Sequence, residues 1–349
     1  MERYAHGGGH DPDKIRYDFS VNINPLGLPA GVRQILCEQT DAFCTYPDPF
    51  CVHLREVLAQ KHRVSAERIV CGNGAIELLY KLLAVNRPKQ VLIPVPTFVE
   101  YEKAVREQGG QVHYYDMPQP FILTEQVLDH ITEKMDMMIL CIPNNPTGAV
   151  PDICLLEAVV RRCALCNVFL LIDACFLDFV QNDALKQYVK QAAETYANVV
   201  VLRAFTKFYA MAGLRLGYMI SSDTQLIRQV MEYGPCWNVS VPAQLAGIEA
   251  LQDSLYAQQT GEWLRAERSY MLSNLRKLPV RVYDSEANYI LFYTETPLTE
   301  ALAQHQIAVR SCENYRGLGK YYYRTAVRIH EDNERLITAL RQILNSDRQ

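Results

Sequence analysis

A single lysine, Lys207, stands in the run LRAFTKFYAMAGLRLGY (202–218) among apolar, aromatic and small residues, with Arg215 eight positions further on. Such flanks imply burial, and a buried ammonium has a partner or a task. Other chemically competent side chains fall at the ends of apolar runs. Asp173 closes VFLLID (168–173), and Asn144 and Asn145 lie in the tight turn PNNPTG (143–148). CGNGAIE (71–77) passes from a strand pattern through two glycines into a helical one. Together these are the parts of a pyridoxal phosphate site. Lys207 would join the cofactor aldehyde as an imine, the covalent use of a lysine whose pKa its surroundings lower. Asp173 would pair with the pyridine nitrogen and keep it protonated, so that the ring withdraws electrons. Asn145 would donate to the ring oxygen, and Phe98 of PTFVEY (96–101) would stack on the ring. The backbone N–H groups at Gly74, Ala75 and Ile76, with Thr206 and the Arg215 fork, would hold the phosphate.

The elements that must position these groups follow from periodicity. From about residue 52, short β-branched runs (QVLIPVP, QVHYYDM, MMILCIP, VFLLIDACF, VVVLRAF) alternate with helical stretches, which predicts a mostly parallel sheet covered by helices on both faces. Ligands of such sheets sit beyond the carboxyl ends of the strands. Near residue 240 the rhythm changes to a long helical segment with one break, then to the short strand patterns VRVYDS, ANYILFYT, IAVRS and YYYRTAVRI. A last helix is expected after HEDN, capped by Asp332 or Asn333. The expected organisation is an irregular N-terminal arm (1–35), a large α/β domain (36–240) and a small α+β domain (241–349). Tyr321, Tyr322 and Tyr323 are read as packing around Arg324.

Net charge is −4 with both signs interspersed, which gives no nucleic-acid or membrane signature. The start carries no signal-peptide pattern and no apolar run is long enough to cross a bilayer, so the expected compartment is the cytoplasm. The eleven cysteines show no regular framework. Cys163 and Cys166 form one C-x-x-C without a second ligand pair, so they are read as core thiols and no metal is expected.

PNNPTG, the Asp173 strand and TKFYAMAGLRLGY, in this order over nearly the whole chain, resemble the fold-type I pyridoxal phosphate enzymes of the aspartate aminotransferase superfamily. AHGG, DFSVNINPLGLP and VRSCENYRGLGKYYYRTAVR are similar to the threonine-phosphate decarboxylase branch, a sister group of the histidinol-phosphate aminotransferases. The resemblance implies a homodimer in which Tyr46 of TYPDP reaches the partner's cofactor phosphate. It also implies that His6, Asn22, Arg310 and Arg324 hold the phosphate and carboxylate of L-threonine O-3-phosphate or L-serine O-phosphate. The implied reaction is decarboxylation to an amino-alcohol phosphate for a corrinoid nucleotide loop. The same constellation also serves transamination, the alternative reading, and a non-catalytic cofactor-binding protein is a third.

Three positions depart from the superfamily pattern. Ala204 stands where a serine usually meets the phosphate, Ile76 where relatives place a polar residue, and Phe176 where a tyrosine meets the ring oxygen. Loss of the hydroxyl at 204 is expected to cost roughly 1–2 kcal/mol of cofactor retention. A shifted role within the family, such as use of serine phosphate, is the other expected consequence.

Overall fold

The computed structural model describes residues 7, 8, 10, 11 and 13–346; His6 lies outside them. Thirteen strands run in chain order as β1 Tyr17–Asp18, β2 Ile69–Asn73, β3 Gln90–Val95, β4 Gln111–Asp116, β5 Met137–Cys141, β6 Phe169–Asp173, β7 Val199–Ala204, β8 Leu216–Ser221, β9 Arg281–Val282, β10 Tyr289–Tyr293, β11 Ile307–Ala308, β12 Arg310–Ser311 and β13 Tyr322–Ala326. The main sheet has the order β2-β8-β7-β6-β5-β3-β4. All its pairings are parallel except those of β8, which runs antiparallel to both neighbours.

Alternation explains why this sheet is buried on both faces. Leu170 and Ile172 of β6 join the core on one face, and Leu171 joins the core on the other. Met138 and Leu140 of β5 divide from Met137 and Ile139 in the same way. Near-continuous apolar strands are what a sheet covered on both sides requires. Helices Gly74–Asn86, Ile153–Leu165 and Asp183–Thr195 supply cover.

Register brings the chemistry to one edge. Cys141 pairs with Asp173, and Asp173 with Leu202, at the carboxyl ends of β5, β6 and β7. Because β8 is reversed, its first residues lie at that same edge: Gly217 faces Ala204, and Leu216 faces Asn73 at the end of β2. Strand β8 was not foreseen from the sequence, since its glycine and the preceding loop residues mask the pattern.

The second sheet, β12-β13-β10-β9, is antiparallel throughout, and β1 pairs in parallel with β11 as a separate small ladder. IAVRS is therefore two strands serving two sheets. The helical segment after residue 240 does break once, between Val241–Gln252 and Ser254–Leu275, and Asp253 caps the second piece through Tyr256 N–H at 2.8 Å. The last helix starts at His330, so Asp332 and Asn333 lie inside its first turn and do not cap it. They reach back to Arg328, Asp332 by accepting from Nε at 2.8 Å and Asn333 by accepting from N–H at 3.0 Å.

Tyr321–Tyr323 do not pack around Arg324. Tyr322 sits against Phe121 and Tyr283, Tyr323 against Phe292, and Tyr321 against Tyr293. The guanidinium of Arg324 lies instead over Tyr289, 5.3 Å from the ring centroid. Every cysteine is a free thiol, with Cys163 and Cys166 buried in the core as expected. Among the described residues no cluster fits a metal ion and no helix is long and apolar enough to cross a membrane.

Leu171 is fully buried in the middle of the main sheet. Leu171→Ala is expected to lower the unfolding free energy by about 2–5 kcal/mol through lost burial and a residual cavity. A urea titration followed by circular dichroism measures it as a lower midpoint.

Candidate active site

A cavity of about 260 Å³ opens at the strand ends and is lined by Lys207, Asp173, Asn145, Ala75, Ile76, Phe98, Thr206 and Arg215 from the main-sheet unit. Asn22, Arg310, Arg324 and Tyr315 line it from the arm and the second sheet. Thus every expected site residue among those described reaches this one space, apart from Gly74 and Tyr46. Gly74 borders it as the first residue of the helix Gly74–Asn86.

Lys207 follows β7 in a single helical turn, Phe205–Phe208. Its pKa is lowered to about 8, chiefly by burial and then by the positive charge of Arg324, with a smaller push from Arg215; the Cys175 thiol opposes this. Among the described residues Lys207 Nζ has no recorded hydrogen bond. A buried, weakly basic amine beside two guanidiniums is a nucleophile in waiting.

Asp173 ends β6. Its Oδ2 accepts from Tyr101 Oη at 2.6 Å and its Oδ1 from Cys175 N–H at 3.0 Å. Burial and the negative charge of Asp173 push the Tyr101 hydroxyl well above its ordinary pKa, so it stays protonated and donating. Tyr101 was not foreseen as a site residue. Its signal is its spacing, three residues after Phe98 at the start of the helix Glu100–Glu107, and the two rings meet edge to face at 5.5 Å. Cys141 and Cys175 also line the cavity beside Asp173.

The two asparagines of PNNPTG divide their work. Asn144 knits loops together: its Nδ2 donates to Pro96 O at 2.9 Å, and its Oδ1 accepts from Thr97 Oγ1 at 2.8 Å. Asn145 faces the cavity, where its Oδ1 accepts from Arg324 Nη1 at 2.5 Å and from Tyr315 Oη at 3.5 Å. That orients the amide and leaves Nδ2 as the group that can donate to a ligand oxygen.

The phosphate cradle is built by close approach. Gly74 has φ +76°, and a Cβ there would lie 2.5 Å from Arg215 Nη2. Glycine is needed both for the backbone angle and for the guanidinium's room. A Cβ on Gly217 would lie 2.6 Å from Ala75 N, so β8 presses directly on the helix start. Ala204 and Ile76 lie at the cavity wall, leaving Thr206 to offer a hydroxyl there.

Anion-binding capacity continues toward the second sheet. Arg310 and Arg324 are directly opposite across β12 and β13. Asn22 Nδ2 and Arg324 Nε are buried without a partner. Both residues line the cavity, although these two atoms are themselves covered, and an unsatisfied buried donor calls for an acceptor oxygen. Tyr46 is elsewhere: it is 79% exposed and stacks on Trp237 with centroids 4.5 Å apart.

This arrangement fits pyridoxal phosphate: an amine for the aldehyde, a carboxylate for the ring nitrogen, an amide for the ring oxygen, and a glycine-arginine cradle for the phosphate. Residues 14–340 match the family model described as aminotransferase class I and II. The chain belongs to this family. Within it, the chain is 38% identical over 97% of its length to threonine-phosphate decarboxylase of Salmonella typhimurium, covering 96% of that protein. It is 32% identical over 98% of its length to an adenosylcobalamin biosynthesis bifunctional protein of Leptospira interrogans, of which it covers 40%. The structure superposes on histidinol-phosphate aminotransferase from Clostridium acetobutylicum with a TM-score of 0.89 at 26% identity, covering 95% of this chain and 99% of that one. Like other members of this aminotransferase family, the protein is a pyridoxal phosphate enzyme with the aspartate aminotransferase-like fold.

Two measurements test the site. In the cofactor-free enzyme, the rate of pyridoxal phosphate capture is expected to rise with pH to half its maximum near the Lys207 pKa of about 8, against the ~10.4 of an ordinary lysine. Arg324→Met removes a charge that lowers that pKa, so the midpoint moves up. Gly217→Ala, by pushing on Ala75, is expected to weaken cofactor affinity about tenfold or more, the equivalent of one lost charge-assisted contact; equilibrium dialysis reads this directly.

Proposed function

We propose that the enzyme decarboxylates L-threonine O-3-phosphate, or the closely similar L-serine O-phosphate, to an amino-alcohol phosphate destined for a corrinoid nucleotide loop. The observation that carries this reading is the pair Arg310 and Arg324, opposed across β12 and β13 in the same cavity as Lys207. Two arginines lining one cavity suit an anionic ligand, and a substrate with both a phosphate and a carboxylate supplies negative charge for both. The unpartnered donors Asn22 Nδ2 and Arg324 Nε add neutral and cationic contacts to the same anions. The names of the Salmonella and Leptospira relatives support the same choice.

Pyridoxal phosphate, when bound, supplies the protonated ring that takes up the electron pair of whichever bond to the substrate α-carbon breaks. The chain's own residues decide which bond that is. Arg310, Arg324 and Asn22 fix the substrate's anionic groups and so the rotation about the bond to its nitrogen. In a decarboxylation the substrate's α-carbon would lose its carboxylate as CO2 and would need a proton in its place. Lys207, with a pKa of about 8, holds a proton through neutral pH and stands in the cavity to deliver it. Asp173, fixed by Tyr101 and Cys175 N–H, would be the group that pairs with the ring nitrogen.

A second copy of the chain belongs to this reading. Tyr46 and Trp237 form an exposed stacked pair, with Phe43 and Phe50 exposed nearby in sequence. Such a patch suits a homodimer in which Tyr46 crosses to the partner's phosphate cradle. His6 is assigned to the substrate by resemblance alone.

The holoenzyme incubated with L-threonine O-3-phosphate and no 2-oxo acid is expected to release CO2 stoichiometrically with the amino-alcohol phosphate. Amine transfer that requires a 2-oxo acid, with no CO2, would replace this reading by the histidinol-phosphate aminotransferase type. Arg310→Met is expected to raise KM by about 10- to 100-fold, the loss of one charge-assisted contact, with a smaller effect on substrates lacking the phosphate.

A further inference from the structure

Residues 17–24 of the arm are bound on alternate sides to different parts of the molecule. Phe19 N–H donates to Ala308 O at 2.7 Å and Phe19 O accepts from Ala326 N–H at 2.9 Å, which seats the segment between two strands of the small sheets. Ser20 O accepts from Arg324 Nη2 at 2.8 Å, and Asn22 O accepts from Asn288 Nδ2 at 3.0 Å. The segment then reaches the lysine. Asn24 N–H donates to Lys207 O at 3.0 Å, and Asn24 Nδ2 donates to both Phe208 O and Thr260 Oγ1 at 2.8 Å. Asn24 is 1% exposed and Thr260 is fully buried. Tyr256 Oη adds a bond to the same Phe208 carbonyl at 3.2 Å and to Gly27 O at 2.7 Å.

The turn Phe205–Phe208 is one helical turn long and cannot hold itself rigid, since isolated turns this short are unstable. Lys207 O accepts locally from Ala210 N–H at 3.4 Å, and Asn24 adds a shorter bond from its N–H to that carbonyl and one from Nδ2 to Phe208 O. We propose that Asn24 is a positioning residue for Lys207: it locks the lysine turn to the helix Ser254–Leu275, and makes the arm a strut joining the arginine side of the cavity to the amine. The inference rests on Lys207 being the cofactor lysine. Asn24 itself touches neither cavity nor ligand. The strut has a direction of action, because Ser20 and Asn22, which border the cavity, are four and two residues from Asn24 on one extended segment. An anion drawn against Arg324 and Asn22 tightens the segment that fixes the lysine backbone.

The test compares wild type with Asn24→Ala. In the cofactor-free protein, hydrogen exchange of residues 205–210 is expected to accelerate by about tenfold, the effect of losing the buried side-chain bonds to Phe208 O and Thr260 Oγ1 while the backbone bond to Lys207 O stays, with the main sheet unchanged. In the holoenzyme kcat is expected to fall by about tenfold on the same ground, with KM unchanged. The pH midpoint of the visible band of the lysine-bound cofactor is expected to move up as water reaches the amine. A variant with wild-type exchange at 205–210 and an unmoved midpoint overturns the proposal, as does a rise in KM with kcat intact. If Asn24→Ala does not fold, Tyr256→Phe is expected to show smaller changes of the same sign, and no change there overturns it. A wild type that takes up no cofactor and shows no visible band refutes the parent reading instead; the exchange comparison still reports on the strut.

Discussion

An amine lies in a poorly hydrated cavity near two guanidinium groups that lower its pKa, and much of the site is arranged around that unfavourable neighbourhood. Desolvation and the charges of Arg324 and Arg215 all push against protonation of Lys207. Such an arrangement survives only in a frame that over-determines it, since strain and uncompensated charge at a site must be held by the surrounding structure. The frame here is the seven-stranded sheet, buried on both faces, whose strand ends deliver Asp173 and Lys207 on neighbouring strands. The reversal of β8 adds Arg215 at the same edge. A fully parallel sheet would have placed the entrance to β8 at the opposite edge, and the arginine with it.

The sheet order gives Asp173 its setting as well. Its two oxygens are occupied by Tyr101 and by the N–H of Cys175, so the carboxylate is fixed in orientation and supported by donors alone. A tyrosine that stays protonated beside it is therefore an aid to the ring-nitrogen contact. Phe176, which lacks a hydroxyl, packs edge-on against Tyr289, whose own hydroxyl goes to Asn144 O. The position that departs from the superfamily pattern is thus used to brace PNNPTG.

Much of this was legible in the sequence because the strands are short, apolar and bounded by chemically distinctive residues. The parallel-sheet rhythm, Lys207, Asp173, Asn145 and Arg215 all follow from strand ends carrying polar groups. Contacts made across long sequence separations were not legible. Arg310 and Arg324 came from resemblance, and nothing local in the sequence shows that they face each other across two strands. Tyr101 and Asn24 were missed for the same reason: one reads as an ordinary helical aromatic, the other as a turn former before proline. Strand β8 was hidden by Gly217, whose absent side chain is required by the approach of Ala75. IAVRS was misread as one strand because a change of partner after Ala308 leaves no trace in hydrophobic alternation. The cap expected at Asp332 or Asn333 failed because both side chains have a better use, holding Arg328.

The residues proposed to grip the cofactor come from the main-sheet unit, whereas Arg310, Arg324 and Asn22 come from the small sheet and the arm. The two sets meet at Asn145 and Arg324, and the arm also bonds the backbone of Lys207 and Phe208 through Asn24. On the proposed reading, the residues that choose the scissile bond sit on elements other than those that hold the electron sink. Evolution could trade one outcome for another by editing a few positions at the rim, with the expensive interior untouched. That modularity gives a physical basis for one scaffold serving lyases and transferases alike.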